Sequence, residues 1–550
     1  MNKWLTSGTP WVWLTAGAVS ISLISVLGLL LLIAWRGLSY FWPADIYQWQ
    51  VTTSDNQTSV VIGELYDRER VPKEQLVAAG HRFDEQAPND IERFLIKTGN
   101  RELQSLDFQW VLATNIDART RPLDLAVFER VKHGNFYGYP KAIIQDGQRI
   151  ESSQLEQRIQ QLIEKTADIN AQADFIQSNQ IGSVNWALER LRLEQRRYLL
   201  KGELTESQQQ SFDARKQGLQ TSYLTLERQL TGLRQQLNDD AVIVEDMRGV
   251  EVRLPVSELI RVSYNNRLST IAKLKQWLQQ VIQFISQEPR ESNTEGGVFP
   301  AIFGTVFMVL LMAVMVTPFG VIAAVYLHEY AKKGPITRMI RVAVINLAGV
   351  PSIVYGVFGL GFFVYVLGGS IDALFYSHAM PSPTFGTPGI LWSALTLAIL
   401  TLPVVIVSTE EGLSRIPPSL RQASLALGAT RAETLFKIVL PMASPAIMTG
   451  LILAIARAAG EVAPLMLVGV VKLAPSLPID GHFPFVHLDR KFMHLGFHIY
   501  DVGFQSPNVE AARPLVYATS FLLVSVIVSL NLTAIAVRNH LREKFRAMEQ

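Results

Sequence analysis

The sequence predicts an α-helical integral membrane protein with six spans and a large soluble insert after the first. Six segments carry that prediction, at residues about 11–35, 300–327, 342–368, 389–409, 442–471 and 514–537. Each is apolar over roughly the 20 residues that a helix needs to cross a bilayer. Residues about 42–298 hold no such run and are rich in Gln, Glu and Arg, so the chain average of 49% hydrophobic and 18% charged residues blends two unlike parts. The third observation is the placing of basic residues. Lys332, Lys333, Arg338 and Arg341 follow the second span, Arg415, Arg421, Arg431 and Lys437 lie between the fourth and fifth, and Arg538, Arg542, Lys544 and Arg546 follow the sixth. The connection 369–388 has neither Lys nor Arg, while 472–513 spreads Lys472, Arg490, Lys491 and Arg513 over a longer stretch. Basic residues in short connections stay on the cytoplasmic side. Both termini and the connection 410–441 are therefore expected on the cytoplasmic side of a membrane, with residues about 42–298 on the outside.

The segment 1–41 reads as a membrane anchor. Its apolar run is flanked by Lys3 and Arg36, exceeds the 7–15 residues of a signal-peptide core, and has no clear small-x-small site after it, so it is expected to stay uncleaved. The insert, 42–298, opens with short strands around Ser59–Tyr66, Phe94–Lys97 and Asp124–Arg130, and Asp146-Gly147 is a hairpin turn between Ile143-Ile144 and Ile150. From Ser152 the pattern turns helical. Leu155, Leu162, Ile169 and Ile176 recur every seven residues, with Ile159, Thr166 and Ala173 between them. Leu219, Tyr223, Leu226, Leu230, Leu233 and Leu237 then alternate steps of four and three. Two such seams predict an antiparallel coiled-coil hairpin over about 152–240. Strands over Ala241–Tyr264 and a helix over Ile271–Ile285 close this mixed α/β domain. A membrane domain, 299–540, and a tail, 541–550, complete the chain.

Several function classes are excluded. A formal net charge of +2 lacks the basic footprint of a nucleic-acid binder. With no cysteine there is neither a disulfide nor a thiolate metal site. No G-x-x-x-x-G-K-[ST] occurs, so any ATP belongs to another polypeptide. His328-Glu329-Tyr330-Ala331-Lys332 starts like a zinc-protease motif, but Lys at its fifth position removes the second histidine. No catalytic residue and no bound cofactor or metal is read from the chain.

Two places carry chemistry. In A-I-A-R-A-A-G-E-V-A-P of the fifth span, Arg457 and Glu461 are charges in an apolar segment, where charges are costly and face a bundle interior or a watery path. At i, i+4 they share one helix face and pair, and Gly460 and Pro464 permit a break that opens backbone groups to a ligand. The planar donor fork of Arg suits an oxyanion. A purely structural ion pair is the competing reading of the same two residues. Asn346 and Ser352, beside Gly349 and Pro351, are further candidates to line a path. The second place is Q-A-S-L-A-L-G-A-T-R-A-E-T-L-F-K-I-V-L-P, Gln422–Pro441. It reads as two short helices meeting at Gly428, with Leu435, Ile438 and Val439 on one side of the second and Pro441 opening the next span. Such a knob fits a shallow groove on a soluble partner.

This stretch resembles the EAA loop of ABC importer permeases, a Gly followed nine residues later by I-x-L-P, with Gln422-Ala423-Ser424 in place of the opening E-A-A. Ile322–Ala331, Asn346–Gly361 and Arg457–Pro464 extend the resemblance to the PstA-type permease subunit of phosphate ABC importers, over about 300–540. The resemblance implies Gln422, Ala423, Ser424, Gly428, Ile438, Leu440 and Pro441 as the loop that couples to an ATPase. It also implies a PstC-type permease as heterodimer partner, two ATP-binding subunits and a periplasmic phosphate-binding protein. The connection between the first two spans is brief in that family, so it implies nothing about the insert. A permease for sulfate or molybdate and a membrane-anchored scaffold or sensor are the alternatives.

Overall fold

A computed structural model describes residues 9–52, 58–79, 83, 88–99, 107–145, 147–151, 154–237, 240–290, 293, 295–332, 334–506 and 509–546. Lys3, Asp146, Ser152, Lys333 and the end of the tail lie outside these. The chain forms two compact units, Met1–Tyr40 with Phe284–Gln550, and Phe41–Gln283. Residues 284–298, expected with the insert, belong to the first unit: the Val298 amide donates to the Phe284 carbonyl at 2.8 Å and the Phe299 amide to Gln287 at 3.1 Å.

Among the described residues, six helices in the first unit are long and apolar enough to cross a membrane: Trp11–Ser39, Phe299–Tyr330, Ser352–Phe375, Ile390–Ser414, Arg431–Gly460 and Ala512–His540, here spans one to six. Spans two, four and five form the centre. Met308, Val309, Met312 and Val316 of span two pack against Ile390, Ala394 and Leu397 of span four and Ala454, Ala458 and Ala459 of span five. Small residues let these backbones close in, as helices that associate without a hydrophobic drive require. A Cβ on Gly412 would stand 2.4 Å from that of Ala446, and Ser408, beside Gly450, donates to the Ala446 carbonyl at 2.7 Å. Span one packs on span six, with Gly37 against the backbone of Tyr517 and Ala518.

Two spans differ from their expected bounds. The third begins at Ser352 instead of 342, because Gly349-Val350-Pro351 ends one helix and caps the next. Proline disfavours helical geometry in the residue before it and lacks the N–H that would continue the ladder. The residues before it form a separate amphipathic helix, Pro335–Leu347, so Asn346 lies at that helix's end and Ser352 starts span three. Span five runs Arg431–Gly460 instead of 442–471. It passes through a π-turn at Leu435–Val439 and across Pro441, then stops eleven residues early.

The insert has two antiparallel sheets. The strands are β1 (Ile46–Thr52), β2 (Thr58–Pro72), β3 (Asp90–Lys97), β4 (Phe108–Leu112), β5 (Ile116–Thr120), β6 (Ala126–Arg130), β7 (Phe136–Gln145), β8 (Gln148–Ile150), β9 (Ala241–Glu245), β10 (Glu251–Pro255) and β11 (Leu259–Ser263). The first sheet has the order β4-β3-β2-β1-β5, and the second β10-β9-β7-β6-β11 with β8 paired to β7. Strand alternation gives the second sheet two apolar faces. Ala126, Phe128 and Phe136 meet Ile159, Leu162 and Ile163 of a helix, whereas Val127 and Tyr137 meet Ile46, Trp49 and Val61 of the first sheet.

That helix, Leu155–Phe175, continues through a π-turn and Gly182–Lys201, so the stretch between the two seams is helical as well. The chain reverses at Gly202, whose φ of 69° closes the helix, and returns as Glu206–Leu237. Arg234 donates to Gln177, Arg215 pairs with Glu194, and the Tyr198 and Phe212 rings lie 6.0 Å apart, a set of pairs that only antiparallel helices make.

The ends of the insert are clasped by two buried asparagines. Asn266 Oδ1 accepts from the Ile46 amide at 3.0 Å, and its Nδ2 donates to the carbonyls of Ile46 and Pro122 at 2.8 and 2.7 Å. Asn265 donates to the Ala44 carbonyl at 3.0 Å. Each such bond contributes about 1 kcal/mol, and buried groups left without partners cost more. Asn266→Ala is therefore expected to destabilise the insert by about 2–4 kcal/mol, read as faster amide exchange across β1 and β6 in the intact protein. Unchanged exchange there would refute the clasp.

Candidate functional site

Span five stops where its sequence makes it stop. Pro464 would clash with the Gly460 carbonyl in a continuing helix. The Glu461 backbone is extended at the C-cap, with its amide donating to Ala458, and a single turn, Leu465–Val468, follows. Arg457 sits in the last helical turn, where the negative end of the helix dipole favours a cation. Its Nε lies 3.5 Å from Glu461 Oε1, with the side chains 33% and 21% exposed. The two charges thus meet across a broken helix end instead of along one helix face. Span three packs onto the break: a Cβ on Gly356 would come 2.7 Å from Pro464 Cα. The charge of Arg457 also reaches the phenol of Tyr355, which donates to the Leu347 carbonyl at 2.6 Å. The arrangement offers a half-open guanidinium beside interrupted backbone, suited to an anion.

The loop between spans four and five has one short helix, Pro418–Ala426. Gly428, with φ 87°, ends it: its amide donates to Leu425 and that of Ala429 to Ser424, so two end carbonyls are satisfied. The second expected helix is the first turns of span five itself. It opens on a capping box in which the Glu433 amide donates to Thr430 Oγ1 while the Glu433 carboxylate accepts from the Thr430 amide.

Of the residues read from the sequence, Gln422, Ala423 and Gly428 are exposed. Ser424 is buried and shares a 2.9 Å hydrogen bond with Thr434 that joins the two arms. Ile438, Leu440 and Pro441 are half-buried in the span-five helix. The tip itself was missed. Leu427, 90% exposed, with Leu425 and Phe436 exposed nearby, makes an apolar point. Its signal was a leucine just before the helix-ending glycine.

A second missed group lies beyond the break. His494 and His498 are buried, and Lys472 pairs with buried Asp501 at 3.0 Å. Burial pushes both imidazoles down to about 4, aided for His498 by the charge of Lys472, so both are neutral near pH 7. His494 Nδ1 accepts from the Gly496 amide at 3.1 Å, and a Cβ on Gly496 would meet Val462 at 2.5 Å. This helix start therefore packs directly on the residue after Glu461.

Residues 316–547 match the family described as binding-protein-dependent transport system inner membrane component. A probable ABC transporter permease protein YqgI of Bacillus subtilis is 31% identical over 46% of this chain and 81% of its own length. The phosphate transport system permease protein PstA 1 of Mycobacterium tuberculosis is 34% identical over 44% of this chain and 71% of its own. This chain belongs to the binding-protein-dependent transport permeases. A third relative, the phosphate transport system permease protein PstA of Mycobacterium leprae, is 41% identical over 32% of this chain, which spans about half (52%) of that relative's length. The permease is a multi-pass membrane protein and a transport subunit, not an enzyme. The family match begins within span two, so the insert falls outside it.

Proposed function

We propose that this permease conducts phosphate as one subunit of an ATP-driven importer. Arg457 carries the reading: a half-exposed cation at a helix break inside the span bundle is a contact for an anion and is costly otherwise. The names of two of the relatives support phosphate as the anion. In this reading the permease pairs with a PstC-type permease, and Glu461 holds Arg457 until substrate arrives. The loop Gln422–Pro441 docks on a dimer of ATP-binding subunits, which bind and hydrolyse the ATP, and a periplasmic phosphate-binding protein delivers the substrate. Purification of the intact complex, followed by uptake in proteoliposomes with competing anions, tests it. ATP-dependent phosphate uptake that excess sulfate or molybdate leaves intact is expected. Competition by sulfate at equal concentration, or absence of an ATPase, would overturn the reading.

The same reading places both termini and the loop in the cytoplasm of a bacterial inner membrane and the insert in the periplasm, from the Lys and Arg asymmetry. The chain has no cysteine to give background. A cysteine at exposed Gln235 is expected to react with an impermeant maleimide added to the periplasmic side. Labelling from the cytoplasmic side alone would reverse the topology.

A further inference from the structure

The residues His328 and Glu329 stand at the centre of an ionic network at the loop. Glu329 lies in the π-turn Tyr326–Tyr330 that ends span two. Its Oε1 is 2.9 Å from Arg421 Nη2, on the helix Pro418–Ala426, and 3.1 Å from His328 Nδ1. The Arg421–Glu329 pair is largely shielded, with side chains 21% and 23% exposed, unlike the solvent-facing Arg415–Glu411 pair on the same loop. Arg421 Nη2 also donates to the Leu413 carbonyl at 2.9 Å, at the end of span four. His328 Nε2 lies 3.2 Å from Ser414 Oγ, again on span four. A parallel tie joins Arg341, on the amphipathic helix before span three, to Glu410 of span four at 3.3 Å and to the Leu327 carbonyl at 2.9 Å.

One guanidinium thus ties the loop helix to the ends of two spans. The loop has no other ionic tie to span two among the described residues. Its own arms are held by Ser424 and Thr434, and its tip residues Leu427 and Gly428 are exposed. Besides the apolar cluster of Leu435 and Val439 with Val325, the loop meets span two through the Arg421–Glu329 pair. Span two in turn packs against span five where Arg457 lies, through Met308, Met312 and Ala458.

We propose that Arg421 is a positioning residue of transport: its ion pair with Glu329 transmits movement of the loop to span two. This rests on the reading that the loop docks on the ATPase. The native chain has no cysteine, so Glu329→Cys with Arg421→Cys gives a pair that a short bis-methanethiosulfonate linker can bridge and a reductant can release in the same protein. The complex, reconstituted with its ATPase, is measured for ATPase retention, ATP hydrolysis and phosphate uptake per ATP. Bridged complex is expected to take up at least tenfold more phosphate per ATP than the same sample after reduction, with the ATPase retained in both. Glu329→Gln, which leaves the carbonyl bonds of Arg421 in place, is expected to match the reduced state. Equal uptake per ATP before and after reduction overturns the proposal, as does loss of the ATPase on reduction, which would make the pair part of the docking surface only. A wild-type complex that docks no ATPase would overturn the docking reading, and the proposal with it.

Discussion

Phosphate uptake by the Arg457→Gln, Glu461→Gln double variant is expected to fall roughly 10- to 100-fold while assembly and ATP hydrolysis persist. A hydrogen bond to a charged group is worth about 1.5–3 kcal/mol, and 1.4 kcal/mol is a factor of ten. Either single variant leaves one charge alone near the bundle interior. Partial exposure keeps that cost below the ~3–5 kcal/mol of a fully buried pair broken on one side. A single variant that loses transport therefore mixes instability with lost substrate contact, and the neutral pair separates them. If the pair only held span five in place, the neutral pair would restore assembly and uptake together. Uptake near wild type in the double variant would remove Arg457 from the substrate path.

The second large effect is expected at Gly428. Its φ of 87° costs an L-residue about 1–2 kcal/mol, and a β-branched one more. A Cβ there meets nothing within 4 Å, so the penalty is one of backbone geometry and not of collision. A chain relieved of that φ loses the two hydrogen bonds from Gly428 and Ala429 and turns Leu427 away. Gly428→Val is expected to insert normally yet retain little ATPase, with uptake down about tenfold or more. Gly428→Asn, which tolerates the left-handed region, should lose least, and Gly428→Ala should fall between. The ATPase recovered with each purified variant checks the order; full retention and uptake in the valine variant would refute it.

What was legible in the sequence follows from how local each signal is. The spans show as uninterrupted apolar runs, and the helical hairpin shows because its seam repeats over many turns. Leu230 and Leu237 are buried, with Leu219, Tyr223, Leu226 and Leu233 half-buried between exposed flanks. Span ends were less legible, since hydropathy does not register where a helix stops inside an apolar run. Residues 462–471 are as apolar as a span, and only Gly460 and Pro464 mark the break. The beginning of span three was lost in the same way, because the amphipathic helix before it is also apolar on one face. At the break, Arg457 and Glu461 stood out as lone charges. The Arg421–Glu329 pair did not, for its partners lie 92 positions apart and basic residues are ordinary in a short connection. Buried His494 and His498 gave no signal, as nothing in their neighbours marks them as shielded.

The asparagine clasp has a consequence for how the chain carries its insert. Residues 44–46 meet residues 265–266 at hydrogen-bonding distance, so a detour of about two hundred residues returns to the strand where it began. Such a segment is portable. Closing a long ordered loop adds little cost when its own fold has already brought its ends together.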